Sequence, residues 1–238
     1  MDFSYDSKPI LRDVSLTIPE KTTAAIVGPS GSGKSTIARL IASLWDVKEG
    51  VVRLGGVDIR TLPLSECTKR IAYVSQDNYL FDLSVMDNIR LGRQGASDEE
   101  VIAAAKACGC HAFIMSLENG YQTVCGAAGG HLSGGERQRI SIARAMLKDA
   151  PIILLDEATA NVDPENEKEL MEAVDELTHD KTVILIAHRL KTVRNADRIF
   201  VVDHGRIVQQ GTHDQLVAVD GLYRRFVVER RQAAGWKA

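Results

Sequence analysis

The run Ala24-Ala25-Ile26-Val27-Gly28-Pro29-Ser30-Gly31-Ser32-Gly33-Lys34-Ser35-Thr36 decides the fold. Its first four residues are short and continuously apolar, the pattern of a strand buried on both faces. Ile37, Leu40, Ile41 and Leu44 recur at helical spacing beyond it, so a glycine-rich turn joins a strand to a helix. Gly28 to Ser35 also fits G-x-x-x-x-G-K-[ST], and it stands in the strand-to-helix context that motif requires. Glycines let the backbone curl until several N–H groups converge on phosphate oxygens, and the helix N-terminus adds partial positive charge. In such a loop Lys34 pairs with the β- and γ-phosphates of a nucleotide and Ser35 ligates Mg2+.

Outward from this loop, strand and helix patterns alternate. Ile152-Ile153-Leu154-Leu155 and Val183-Ile184-Leu185-Ile186 read as further strands at the centre of a parallel sheet. Ile199 to Val202, then Asp203-His204-Gly205-Arg206, then Ile207-Val208 read as a hairpin with Gly205 in its turn. Leu11, Val14, Leu16 and Ile18, mixed with polar residues, suggest further strands exposed on one face. Between Gln76 and Ala150 helix signals dominate: Ser97 caps the acidic turn Asp98-Glu99-Glu100, and Ser133 and Glu136 stand at capping-box spacing. Asp163-Pro164 opens another helix.

Three groups beyond the loop carry chemistry. The strand Ile152–Leu155 ends in Asp156-Glu157. There Asp156 can hold Mg2+, and Glu157 can orient or deprotonate the water that attacks a γ-phosphate. His188 follows the apolar run Val183–Ala187, at the strand end where α/β proteins place their ligands. Leu132-Ser133-Gly134-Gly135-Glu136 is a second helix N-terminus with no bulky side chain to block a phosphate. An ordinary cap accounts for Ser133 and Glu136 but not for the two glycines, which weaken a helix by up to about 1 kcal/mol each. Two cradles for one triphosphate make sense if they come from different molecules.

Composition bounds these readings. The 238 residues are 45% hydrophobic and 26% charged, as in a globular protein with a true core, and disorder or a disulfide scaffold is excluded. The net charge of −3 and the lack of like-charge blocks give no sign of a nucleic-acid partner. No apolar run exceeds five residues, against roughly 20 for a spanning helix. The four cysteines, Cys67, Cys108, Cys110 and Cys125, match no zinc or redox spacing and read as reduced structural thiols.

Taken together, the motifs resemble those of the nucleotide-binding domain of an ATP-binding cassette transporter, in that family's order and over essentially the whole sequence. Gly28–Thr36 resembles the Walker A loop, Gln76 the Q-loop glutamine, Leu132–Glu136 the signature motif and Ile152–Glu157 the Walker B strand with its catalytic glutamate. Asp163 resembles the D-loop aspartate, His188 the switch histidine, and Tyr5 the aromatic that stacks on adenine. The resemblance implies a P-loop core of the RecA-like α/β type with a parallel central sheet, an N-terminal antiparallel β subdomain and an inserted helical subdomain. It implies one domain over 1–238, with a core lobe at 1–75 and 151–238 and a helical lobe at 76–150. ATP is expected on Tyr5, Gly28, Ser30, Gly31, Ser32, Gly33, Lys34, Ser35, Thr36 and Gln76, with Mg2+ held by Ser35, Gln76 and Asp156. Glu157, His188 and Lys34 are the expected catalytic residues. Two such domains are expected to meet head to tail, each offering Leu132, Ser133, Gly134, Gly135, Glu136 and Asp163 to the other's ATP.

The details resemble the exporter branch, in which the cassette is fused to its membrane domain. Ser84-Val85-Met86-Asp87-Asn88-Ile89, Gly120-Tyr121 with Thr123–Gly126, and Gly221–Phe226 all fit that branch. Ala127-Ala128 stands where glutamate-arginine is usual, Glu136 where glutamine is commonest, and Ala160-Asn161-Val162-Asp163 for Ser-Ala-Leu-Asp. Tyr5 lies almost at the start of the chain, so the expectation is a soluble piece of a longer polypeptide with membrane helices upstream, working at the cytoplasmic face of the cell membrane. A cassette ATPase without transport, or a regulatory cassette of low turnover, is the alternative.

Overall fold

The computed structural model describes residues 1–6, 8–156, 164–186 and 193–235. The chain divides into two compact units, Met1–Ile71 with Thr182–Ala238, and Ala72–Lys181.

In the first unit the apolar run of the phosphate loop is β3 (Thr23–Val27), parallel to β8 (Thr182–Ile186) on one side and to β9 (Arg198–Asp203) on the other. Ala24 to Val27 are all buried, as a strand covered on both faces requires. Ala25 and Val27 join Ile199, Val201, Leu216 and the fully buried Tyr223 in one cluster. Leu216 belongs to α8 (His213–Ala218) and Tyr223 to α9 (Leu222–Gly235). The hairpin is present: β9 pairs antiparallel with β10 (Arg206–Gly211) through His204 and Gly205, both at positive φ, 44° and 76°. After the loop comes α1 (Lys34–Ile41), with Ile37 and Leu40 fully buried. It stops before Leu44, which is 56% exposed. Two small antiparallel pairs complete the unit, β1 (Phe3–Tyr5) with β2 (Lys8–Leu11) and β4 (Arg53–Leu54) with β5 (Val57–Asp58).

The strands expected around Val14, Leu16 and Ile18 do not form. Leu11 ends β2, and Arg12 to Lys21 contain no strand. Asp13 adopts φ 51°, which turns the chain out of the extended path, and Pro19 has no N–H for a ladder. Val14 is nonetheless buried, tied by its N–H to the Met1 carbonyl.

The second unit is built around α6 (Gly134–Lys148), against which α3 (Val85–Arg90), α4 (Asp98–Ala107) and α7 (Pro164–Thr178) pack. Helix α2 (Leu64–Arg70) precedes it in the chain, in the first unit, and α5 (His111–Ser116) follows α4. The capping box anticipated at Ser133 and Glu136 is made on α6, and the Ser97 cap on α4 proves to be a full box with Glu100. Pro164 is the first helical residue of α7, where its missing N–H costs nothing. In the same unit β6 (Ile71–Val74) and β7 (Ile152–Asp156) are neighbouring strands. All four cysteines are buried and unbridged. The Cys110 thiol is pushed up by its hydrogen bond with Cys108 and by burial, so it stays a thiol.

Candidate functional site

The phosphate loop is gripped by its own unit. A Cβ on Gly28, whose φ is +150°, would stand 2.0 Å from the Val202 carbonyl oxygen of β9, so only glycine lets the loop leave β3 this close to the sheet. The Gly205 N–H at the hairpin turn donates to the Ser32 carbonyl at 3.1 Å, and the Arg12 N–H donates to the Gly205 carbonyl at 2.9 Å. On the far side Leu11 of β2 packs against Gly33, the N-cap residue just before α1.

Inside this frame the loop carries one hydroxyl that the described residues do not use. The Ser32 hydroxyl is buried with no hydrogen-bond partner among the described residues. Lys34 is 5% exposed, and its ammonium donates to the Pro29 carbonyl at 2.7 Å, so it arches back across the loop. Gly31 faces open space, and Thr36 is buried behind the first turn of α1. The first N–H groups of a helix have no acceptor within it. A buried hydroxyl without an acceptor, an arched ammonium and a helix N-terminus on one glycine-lined turn fit a polyphosphate.

Asp156 closes β7, buried to 2% exposure, and accepts the Tyr73 hydroxyl of β6 at 3.0 Å. Sequence reading passed over Tyr73; its signal is its position in the apolar run Ile71–Val74, just ahead of Gln76. Gln76 itself is exposed beyond the end of β6, and its carbonyl accepts from the Asn78 amide. Ser35 offers a hydroxyl in the first unit, and Gln76 and Asp156 an amide and a carboxylate in the second, each an oxygen donor of the kind that suits Mg2+. Glu157, Asp163 and His188 lie outside the described residues.

The Tyr5 ring packs edge-on against Phe3, with centroids 4.9 Å apart, and against Trp45 at 5.4 Å. Trp45, half exposed at the end of the segment after α1, is an aromatic neighbour that the sequence reading did not single out. In the other unit Ser133 caps α6: its hydroxyl accepts the Glu136 N–H, and its own N–H donates to the Glu136 carboxylate at 2.8 Å. Glu136 is thus occupied as a cap, the work a glutamine does equally well. Gly135 has nothing within 4 Å of where a Cβ would stand, leaving the helix end open. Leu132 is buried ahead of the cap, and its carbonyl accepts from Arg137.

A second surface feature accompanies these. Tyr79, Phe81, Leu83 and Val124 are 41–51% exposed, and the Tyr79 and Phe81 rings meet at 5.3 Å. Ser84 and Val124 form an isolated antiparallel bridge, which sets Leu83 and Val124 close together. Ala127-Ala128 follows in a short turn, with Ala128 at φ 52°.

The ABC transporter family model matches residues 11–160. The ATP-dependent lipid A-core flippase of Syntrophus aciditrophicus is 48% identical over 223 residues, 94% of this chain and 37% of that protein. The mycobactin import ATP-binding/permease protein IrtA of Mycobacterium tuberculosis is 50% identical over 217 residues, 91% of this chain and 25% of that protein. A bacterial Atm1-family ABC exporter solved with ATP bound superposes with a TM-score of 0.91 at 41% identity, over 96% of this chain and 40% of that one. The chain therefore spans well under half the length of these relatives. Among the described residues no helix is long and apolar enough to cross a membrane. The family's proteins are in general ATPases, and with the family's motifs in order along its sequence, this chain belongs to the ABC transporter family.

Proposed function

We propose that the chain is the ATP-binding and ATP-hydrolysing motor domain of an exporter-type ABC transporter. The observation that carries this reading is the phosphate loop, held rigidly by Val202, Gly205 and Leu11 while the buried Ser32 hydroxyl keeps a hydrogen bond to give. The core lobe is assigned to 1–75 and 151–238, and the helical lobe to 76–150. Tyr5 stacks on adenine, and Gly28, Ser30, Gly31, Ser32, Gly33, Lys34, Ser35 and Thr36 hold the phosphates. On binding, Lys34 exchanges the Pro29 carbonyl for phosphate oxygens, a swap of one strong acceptor for a charged one. Ser35, Gln76 and Asp156 would hold Mg2+, which would supply positive charge to offset that of the phosphates. Glu157 takes the proton of the attacking water, and His188 contacts the γ-phosphate.

Leu132, Ser133, Gly134, Gly135, Glu136 and Asp163 complete the ATP site of a second copy or a homologous cassette, so that two ATP molecules join two domains head to tail. Closure on ATP and reopening after hydrolysis then drive membrane domains between inward- and outward-facing states. The exposed apolar residues Tyr79, Phe81, Leu83 and Val124 are a surface for such a membrane domain, at the cytoplasmic face of the cell membrane.

Glu157→Gln tests the chemistry. It keeps the shape and removes the base, so ATP affinity stays and phosphate release falls by about two to four orders of magnitude. Phosphate release at the parent rate contradicts the assignment of Glu157.

A further inference from the structure

Asn88 of α3 is fully buried, and its amide bonds to neighbouring backbone, to the Cys125 Sγ and to Arg144. Its Nδ2 donates to the carbonyls of Phe81, Leu83 and Ser84 at 3.0, 3.2 and 3.1 Å, and its Oδ1 accepts the Phe81 N–H at 2.9 Å. Arg144 of α6 closes the same knot from the other side. Its Nε donates to the Asn88 carbonyl at 2.8 Å, its Nη2 to Asn88 Oδ1 at 3.1 Å and its Nη1 to the Tyr79 carbonyl at 3.2 Å. The backbones touch at this point: a Cβ on Gly92 would stand 2.1 Å from the Arg144 carbonyl oxygen.

The arm Tyr79–Leu83 has no regular secondary structure of its own; Asn88 and Arg144 tie it to the helices, alongside the fully buried Leu80 and the Cys125 N–H, which donates to the Leu83 carbonyl at 3.0 Å. Among the described residues Arg144 has no carboxylate partner, and desolvation lowers its pKa from the ordinary arginine value. Burying a cation without a counter-ion is costly, and an apolar residue would fill the gap between helix and arm more cheaply. What the guanidinium supplies that an apolar residue cannot is a planar fork that fixes direction as well as distance. Arg144 lies ten residues, about 15 Å of helix, from Gly134 at the opposite end of α6. One rigid helix therefore carries the Ser133-Gly134-Gly135 turn at its start and the anchor of the apolar arm near its end.

We infer that Arg144, acting through Asn88, is a positioning residue that makes the arm Tyr79–Leu83 move as one body with the signature helix. The inference rests on the function proposed above, with ATP received at the start of α6 and the arm directed at a membrane domain. It makes the arm report nucleotide engagement directly, without a message passing through intervening loops.

Hydrogen exchange read by mass spectrometry tests this in the Glu157→Gln chain, with ATP-Mg against ADP-Mg, at concentrations where sedimentation shows the dimer. Exchange at Ser133–Arg137 reports engagement of the helix, and exchange at Tyr79–Ser84 reports the arm. With Arg144 present, both segments are expected to slow by about tenfold on ATP. With Arg144→Met, Ser133–Arg137 still responds while Tyr79–Ser84 exchanges alike in both nucleotides. Arg144→Lys, which keeps charge and stem but has no fork, repeats the comparison where the methionine variant does not dimerise, and the arm is again expected to lose most of its response. An arm that still follows ATP in either variant, or that ignores ATP with Arg144 present while Ser133–Arg137 responds, overturns the inference. Silence of Ser133–Arg137 in the parent chain strikes instead at the head-to-tail reading, and the inference falls with it.

Discussion

Asp156 accepts a hydrogen bond from the Tyr73 hydroxyl, which sequence inspection did not single out, and this gives a test at the level of a single atom. Tyr73→Phe removes the donor 3.0 Å from the carboxylate and keeps the ring. A hydrogen bond to a charged group contributes about 1.5–3 kcal/mol, part of which here goes into orientation of Asp156. The expected outcome is a several-fold rise in the Mg2+ concentration needed for half-maximal ATP hydrolysis, with nucleotide binding in the absence of Mg2+ unchanged. A magnesium titration of the variant checks it, and an unmoved midpoint removes Tyr73 from the site. The loop residues themselves were legible, because Gly28 to Ser35 form a contiguous motif whose spacing encodes its own geometry. Tyr73 was not, since it lies 83 positions from Asp156 and only the neighbouring of β6 and β7 brings them together.

At the scale of elements, the hairpin β9–β10 proves to be part of the phosphate loop's frame. Gly205 combines φ 76° with a position where a Cβ would stand 2.1 Å from the Ile10 carbonyl oxygen, and its N–H holds the Ser32 carbonyl. Gly205→Ala therefore forces turn, β2 and loop apart at once, and the strain is expected to cost about 1–3 kcal/mol of stability. Nucleotide affinity should fall along with it although residue 205 is far from any expected contact with ATP in sequence. Thermal unfolding with and without ATP-Mg measures both effects, and an unchanged ligand-induced stabilisation shows that the hairpin does not hold the loop. Strand and helix identities were readable here, since β3, β7 and β8 are continuous apolar runs and α4 and α6 carry full capping boxes. The segment Arg12–Lys21 misled, because alternating polarity predicts a strand while a single left-handed residue, Asp13, breaks one. The hairpin's grip on the loop was invisible for a different reason: it is made by backbone carbonyls, which every sequence has.

At the scale of the whole molecule, the two cradles are what set this chain apart from a simple nucleotide-binding domain. One lies at the start of α1 and the other at the start of α6, and the proposal assigns them to different copies around the same ATP. The proposal that both helix starts serve one functional site rests on motif order, not on any local pattern. Mixing two disabled chains tests it most directly. Lys34→Ala removes the loop ammonium and Ser133→Arg blocks the second cradle, so each variant alone has no complete site in a head-to-tail dimer. In a mixed dimer the defects fall together in one site and leave the other whole. Phosphate release is therefore expected to be near background for each variant alone. An equimolar mixture should recover about a quarter of the parent rate, since half the dimers are mixed and each has one intact site of two. A mixture as silent as its components, or Ser133→Arg turning over ATP normally by itself, would contradict the account.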